Sequence, residues 1–378
     1  MVWQKPLRYP KPMVIFIVVV LIGLVMFVLS VLACWYIGNR CFWAERVFEC
    51  EDASYVGGSY LAYIVEAVYD PASRHDQTHP VRGLRGRTIG NWSQVWEVSL
   101  EAESVFAYAQ AVSSDGKLIA LIYRRAGSKH CLFLDVTTGS VLWNWPDRLT
   151  KATLTSVVFA GAEIAYAAVQ ECKENKPATY SIYRLDTKTK NAELFARLDR
   201  LGFGTRRVIL IGYYATTRDL IVIVEEGDRP AVYCIPLENP SETRLLIRLK
   251  KALNYGEEER IHYWHDTAPN AVTLAVASGG EIVFLRNPPD FSDRYMISYN
   301  ALFASPSCCP DGQHLAVHIG TPPGVQGDIR VFRCDKLVGR IRSVEGKPDW
   351  LPDGKHLAVS WKGPYPSYSI WRLRLPKP

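Results

Sequence analysis

"CPDGQHLAVH" (309–318) and "LPDGKHLAVS" (351–360) are nearly the same decamer, written twice 42 residues apart. Asp followed by Gly tolerates the left-handed backbone of a tight turn, and the aliphatic run after it suits a buried strand. A strand opening repeated at such an interval marks a repeat architecture, which decides the fold before any single element is assigned.

Outward from this pair, an aliphatic residue followed by Ala or Val recurs at Leu61-Ala62, Ile119-Ala120, Ile164-Ala165, Ile221-Val222, Leu274-Ala275, Leu315-Ala316 and Leu357-Ala358. An aliphatic residue followed by an aromatic alternates with it, at Val95-Trp96, Leu132-Phe133, Ile182-Tyr183, Val232-Tyr233, Val283-Phe284, Val331-Phe332 and Ile370-Trp371. The first series reads as second strands and the other as third strands, with "DVTTG" (135–139) and "DTKTK" (186–190) turning the third into a fourth. One unit is thus a four-stranded antiparallel meander of 40–57 residues. Alone it cannot bury both faces, whereas seven packed radially can. The expected fold is all-β: a seven-bladed β-propeller over 53–378, preceded by one transmembrane α-helix.

The last aromatic strand ends at Leu375 with three residues to spare, so "FWAERVFE" (42–49) is expected to supply the outermost strand of the final blade. "FAGAEIAYAA" (159–168) and "YATTRDLIVI" (214–223) keep the strand but lose the glycine turn.

The Pro-Asp-Gly-x-x-Leu-Ala units resemble the TolB-type propeller repeat. The aliphatic-aromatic third strand is similar to WD repeats, although the Trp-Asp dipeptide is missing. The resemblance covers roughly 45–378 and is clearest at 103–146 and 300–378. It implies protein or peptide contacts within an envelope assembly.

The segment 13–36, "MVIFIVVVLIGLVMFVLSVLACWY", carries no charge. As a helix it measures roughly 36 Å, enough for a hydrocarbon core of about 30 Å. Its apolar core exceeds that of a cleaved signal peptide, and it reads as an uncleaved anchor. "VLAC" ending at Cys34 is the competing lipoprotein reading, weakened by bulky Leu32 and the overlong apolar run. Lys5, Arg8 and Lys11 precede the span and only Arg40 and Arg46 closely follow it, which keeps the N-terminus in the cytoplasm. The expected organisation is a basic cytoplasmic tail (1–12), the span (13–36), a juxtamembrane segment with the closing strand (37–52), and a propeller outside the cytoplasmic (inner) membrane.

The 44 basic and 38 acidic residues leave a net charge of +6, and no basic block interleaved with aromatics tracks a phosphate backbone. Nucleic acid is not an expected partner. The 9 cysteines form no CxxC pair and no zinc spacing, so neither a metal nor a cofactor is expected. Cys41 and Cys50 are spaced to bridge a juxtamembrane loop, whereas Cys131, Cys234 and Cys334 fall in strand-like segments as buried thiols. A vicinal Cys308-Cys309 disulfide is strained and not expected.

Candidate binding residues lie where the repeat is broken. The segment 66–92 is the longest insertion, placed between the second and third strands of the first blade, with His75, Asp76, His79 and the basic set Arg74, Arg82, Arg85 and Arg87. Those arginines suit anionic headgroups or an acidic partner, or simply solvate a loop. "RIHYWHDTAPN" (260–270) opens the innermost strand of the fifth blade and puts His262, His265 and Asp266 near the channel mouth, with Glu257, Glu258 and Glu259 as an exposed tip. A His–carboxylate pair can orient a general base, but no nucleophile motif accompanies it. His314 and His356 occupy one repeat position in different blades and read as structural. Asn91-Trp92-Ser93 is a sequon with meaning only in a glycosylating pathway.

The function expected is a membrane-anchored protein-binding or scaffolding module. The alternatives are a channel-site hydrolase or lyase using these histidines and carboxylates, and a small-ligand or glycan sensor.

Overall fold

The computed structural model describes residues 23–30, 44–59, 61–69, 80–146, 152–171, 178–226, 229–249, 264–267, 273–278, 281–286, 292–298, 303–320, 327–344, 346–362 and 366–375. The chain divides into two compact units, Met1–Glu45 and Arg46–Pro378. In the first, residues 23–30 are helical. Among the described residues no helix is long and apolar enough to cross a membrane, and the rest of 13–36 lies outside them.

The Asp-Gly turns show why the second unit folds as it does. Asp311 Oδ1 accepts the N–H groups of Gln313 (2.8 Å) and His314 (3.0 Å), while Gly312 takes a φ of 66°. Asp353 does the same for Lys355 (2.9 Å) and His356 (3.0 Å) around Gly354 at φ 63°. Asp115 accepts Lys117 N–H at 3.1 Å around Gly116 at φ 74°. A short acceptor side chain plus a residue free of Cβ fixes the reversal, and the aliphatic run after it pairs back as a strand. The middle blades lack this chemistry. Arg218 takes the left-handed position itself, at φ 56°, just before its strand.

Twenty-eight strands are found among the described residues, in seven four-stranded antiparallel sheets. A single strand, β1 (Ala44–Cys50), precedes the first complete blade. Blade 1 holds β2 (Ala53–Ser59), β3 (Tyr63–Tyr69), β4 (Val81–Thr88) and β5 (Gln94–Ala102); blade 2 holds β6 (Ser104–Val112), β7 (Leu118–Arg125), β8 (Ser128–Asp135) and β9 (Val141–Trp145). Blade 3 comprises β10 (Ala152–Phe159), β11 (Ile164–Glu171), β12 (Thr179–Asp186) and β13 (Asn191–Arg197). Blade 4 comprises β14 (Val208–Tyr214), β15 (Asp219–Glu226), β16 (Arg229–Pro236) and β17 (Arg244–Arg248). Blade 5 is β18 (Trp264–Thr267), β19 (Thr273–Ser278), β20 (Glu281–Arg286) and β21 (Asp293–Ser298). Blade 6 is β22 (Phe303–Cys308), β23 (His314–Gly320), β24 (Gly327–Arg333) and β25 (Lys336–Val344). The final blade has β26 (Lys347–Trp350), β27 (His356–Lys362) and β28 (Pro366–Leu373), with β1 beside β28 as its outer strand.

Each blade buries one face against its predecessor and the other against its successor, so the core is a series of inter-blade layers. In β7, Ile119 and Leu121 pack toward blade 1, whereas Ala120 and Ile122 pack toward blade 3. Burying one such aliphatic side chain contributes about 1.5–3 kcal/mol, and the ring repeats this at every layer. Trp96 of β5 bolts blade 1 to blade 2: its Nε1 donates to Val136 O at 2.7 Å. Its indole fills the space beside Gly86 and Gly139, where an added Cβ would sit 2.1 and 2.7 Å from the ring.

Five expectations need correction. The two ends of the 66–92 insertion belong to the blade, since β3 runs to Tyr69 and β4 covers Val81–Thr88, and 70–79 lies outside the described residues. Leu61-Ala62 falls in the turn before β3, with Ala62 at φ 63°, and Val95-Trp96 belongs to the fourth strand of its blade. Cys334 is the first residue after β24, in a turn at φ 56°. Cys50 is a free buried thiol whose Sγ lies 3.1 Å from Asp52 Oδ1, so it forms no bridge with Cys41.

Candidate functional site

The meander gives the ring two unlike faces. The hairpins joining second to third strands and the crossings between blades share one face, here the loop face. The Asp-Gly turns and the third-to-fourth strand turns share the other. Strand ends flanking 70–80, 147–151, 172–178, 198–207, 250–263 and 321–326 all lie at the loop face.

His75, Asp76, His79, Arg74, His262 and Glu257 to Glu259 lie outside the described residues. His265 and Asp266 are on β18, the innermost strand of blade 5, with backbones opposite Val276 and Ala275; their side chains lie outside the described part. Arg82, on β4, is exposed and pairs with Glu97 at 3.7 Å.

Arg85 and Arg87 do not face a partner. They point into the seam between blades 1 and 7, where Glu66 of β3 is 0% exposed. Arg87 Nε donates to Glu66 Oε1 at 2.7 Å and its Nη1 to Trp92 O at 3.0 Å, while its guanidinium lies 5.4 Å from the Phe48 ring centroid. Arg85 Nη1 reaches Glu66 Oε2 at 3.5 Å, Nε reaches Glu97 at 3.4 Å, and Nη2 lies 3.7 Å from Asp52. From β28, the Tyr368 hydroxyl donates to Glu66. Burial, followed by the charge and hydrogen bond of Glu66, pushes the Tyr368 phenol up. Burial, Glu66 and Asp52 push the Cys50 thiol up to about 12, so it stays protonated. Burial opposes ionisation of Arg87, but Glu66 outweighs it and holds the guanidinium charged. The cluster is a closure lock between the first and last blades, and the basic-loop reading of these two arginines is corrected by it.

The decamer histidines are locks of a second kind. His314 Nδ1 lies 2.5 Å from Asp311 Oδ2, and His356 Nδ1 lies 2.5 Å from Asp353 Oδ2. At His356, Arg372 Nε donates to Nε2 at 3.3 Å, so Nδ1 carries the proton given to Asp353. Trp92 meets the His356 ring edge-on at 5.6 Å. Burial raises the carboxyls of Asp311 and Asp353, but the histidine and backbone N–H bonds outweigh it and hold both below the usual range.

Cys309, Asp311 and His314 place ligand-type atoms within 4.8 Å of one another. Their chemistry does not fit a metal. The His–Asp contact is a hydrogen bond, shorter than two ligands of one ion allow. Burial pushes the Cys309 thiol up, away from the thiolate a metal needs. The same His–Asp pair also forms in blade 7, where Leu351 replaces the cysteine.

One constellation was missed from the sequence. At the loop-face end of blade 2, Arg124 of β7 and Lys129 of β8 are directly opposite in register. Both lean on Phe106 of β6, at 5.7 Å and 4.8 Å from its ring centroid. Arg124 is exposed and Lys129 half-buried. No carboxylate pairs with either among the described residues. In blade 4, by contrast, Arg206 and Arg248 pair with Glu226, and Arg207 with Glu225. The sequence signal was only "YRRAGSK" (123–129) in a hairpin, which reads as an ordinary solvated turn.

No protein-family model matches the chain, and no curated protein matches it in sequence. Solved structures do. The β-propeller domain of Cps50 (Swd1) from Myceliophteria thermophila superposes with a TM-score of 0.59 at 9% identity, covering 87% of this chain and 98% of that one. An oligogalacturonate lyase in complex with manganese gives 0.51 at 9% identity, covering 87% and 93%. TolB from Acinetobacter baumannii gives 0.47 at 13% identity, covering 78% and 64%. The likeness is one of fold alone. It agrees with the seven-bladed ring and leaves function to the residues.

Proposed function

We propose that the chain is a membrane-anchored propeller, held outside the cytoplasmic membrane by residues 13–36, whose loop face binds a protein partner. The observation that carries this reading is the division of labour among charged groups. Glu66, Asp311 and Asp353 are spent on seam and turn locks, while at the loop face Arg124 and Lys129 have no carboxylate partner among the described residues. β-Propellers commonly serve as interaction scaffolds, and the long blade connections flank this one face. The uncharged 24-residue segment and the lysines and arginine before it support the anchor and its direction. The modest +6 charge supports a protein partner over nucleic acid.

Affinity capture of the full-length protein after chemical cross-linking in cells tests the binding reading. Recovery of a defined protein partner is expected; a stable particle recovered repeatedly without one would refute it. For the anchor, labelling of an engineered surface cysteine at Thr138 by an impermeant reagent on cells opened to the extracytoplasmic side is expected. Labelling only after the inner membrane is breached would reverse the topology.

A further inference from the structure

We propose that Arg124, Lys129 and Phe106 form the part of the loop face that takes a carboxylate side chain from an acidic peptide segment of the partner. This rests on the scaffold reading and names the chemistry of its site.

Two cations directly opposite on neighbouring strands destabilise a sheet, and an opposite charge beside them relieves it. Here, among the described residues, no carboxylate pairs with either cation: Glu103 takes the Gly127 N–H and Glu101 pairs with Arg125, while blade 4 supplies two glutamates for its own arginines. A local rule broken without internal compensation is the mark of a surface kept for a ligand. Burial, followed by the charges of Arg124 and Arg207, lowers the Lys129 pKa, in keeping with that cross-strand pairing. Phe106 holds both cations against its ring, which limits the freedom lost when an anion binds.

The geometry favours a carboxylate over a phosphate. A phosphate site is usually lined with free backbone N–H groups. In this hairpin the Gly127 N–H is already donated to Glu103 Oε1 at 2.9 Å. What remains is a guanidinium, an ammonium and an apolar ring, which suit a carboxylate on a short methylene stem.

The test is binding of fluorescein-labelled hexaglutamate to the full-length protein in detergent, by anisotropy. The wild type is expected to bind in a salt-sensitive manner, with R124E/K129E weakening affinity at least about tenfold. The single variant K129E, which pairs Arg124, is expected to melt no lower than wild type and to lose hexaglutamate affinity as well, so the loss cannot be ascribed to unfolding. Absence of hexaglutamate binding, or equal binding by the double variant, overturns the assignment. So does tighter binding of inorganic phosphate or a single-stranded oligonucleotide at the same residues. If the assignment fails while cross-linked capture still recovers a partner, the scaffold reading stands. If variant-sensitive binding is found but no partner is ever captured, the scaffold reading fails and the anion site remains.

Discussion

Asp311 and Glu66 illustrate two ways a single carboxylate holds this protein together, and only one of them is visible in sequence. Asp-Gly followed two residues later by histidine announces a turn whose side chain caps its own backbone, and the structure forms that turn. Because the folded carboxyl of Asp311 is held low, the unfolded chain takes up a proton first as pH falls. Its contribution is therefore complete above about pH 4 and is lost as pH drops through the folded value. Asp311→Asn is expected to cost roughly 1–3 kcal/mol at neutral pH and to make the acid limb of a stability–pH profile shallower; an unchanged limb would count against the lock. Glu66 gives no such signal. "YIVEAVY" (63–69) is followed, after 70–80, by glycine-rich "VRGLRGRT" (81–88), which has no aromatic residue and is β-branched only at its ends, Val81 and Thr88, so the glutamate reads as the start of a loop. Its role depends on Tyr368, distant in sequence, and on arginines two positions apart on one face of β4. Glu66→Ala is expected to cost about 3–5 kcal/mol, because two guanidinium groups lose their buried partner. Tyr368→Phe is expected to cost roughly 1–2 kcal/mol, removing one hydrogen bond. Denaturant unfolding of the two variants checks the order.

The strands themselves were legible as a class but not in register. Phe133 and Phe284 pair with Ala120 and Ala275, residues that face the following blade. Tyr183 and Tyr233 pair instead with Ala167 and Val222, which face the preceding one. Phe332 and Trp371 pair with Leu315 and Leu357, one residue displaced again. The dipeptide recurs while its position slips, and a slip of one residue turns a strand's side chains to the opposite face. An aliphatic-aromatic pair is tolerated in either register because both faces of a blade are buried. Sequence pattern therefore counts blades correctly without fixing which side chain bolts which pair. The exception is a bolt that demands glycine. Gly139 has φ 74° and lies against Trp96, so Gly139→Ala is expected to cost roughly 2–4 kcal/mol from backbone strain and overpacking. A lowered melting temperature with loss of Trp96 burial, seen in its fluorescence, would check this.

At the scale of the whole molecule, the ring is closed by its own beginning. β1 lies beside β28, Phe48 stacks on Trp92 at 5.5 Å, and the Glu66 cluster joins blade 1 to blade 7. Deleting residues 1–50 is expected to expose β28 as an unpaired edge, lowering the melting temperature by several degrees and promoting aggregation, whereas deleting 1–36 should leave a monodisperse ring. The closing strand could be anticipated from an incomplete last blade; the proposed binding face could not, since its cations look ordinary until their register, and the lack of a carboxylate partner among the described residues, are seen. That face is the centre of the functional account. The most direct test is a photo-cross-linking amino acid placed in the full-length protein in cells, at Ser128 on the loop face or at Thr138 on the opposite one. The account predicts a discrete protein adduct from position 128 and none from position 138. Adducts from 138 alone, or equally from both, would contradict it.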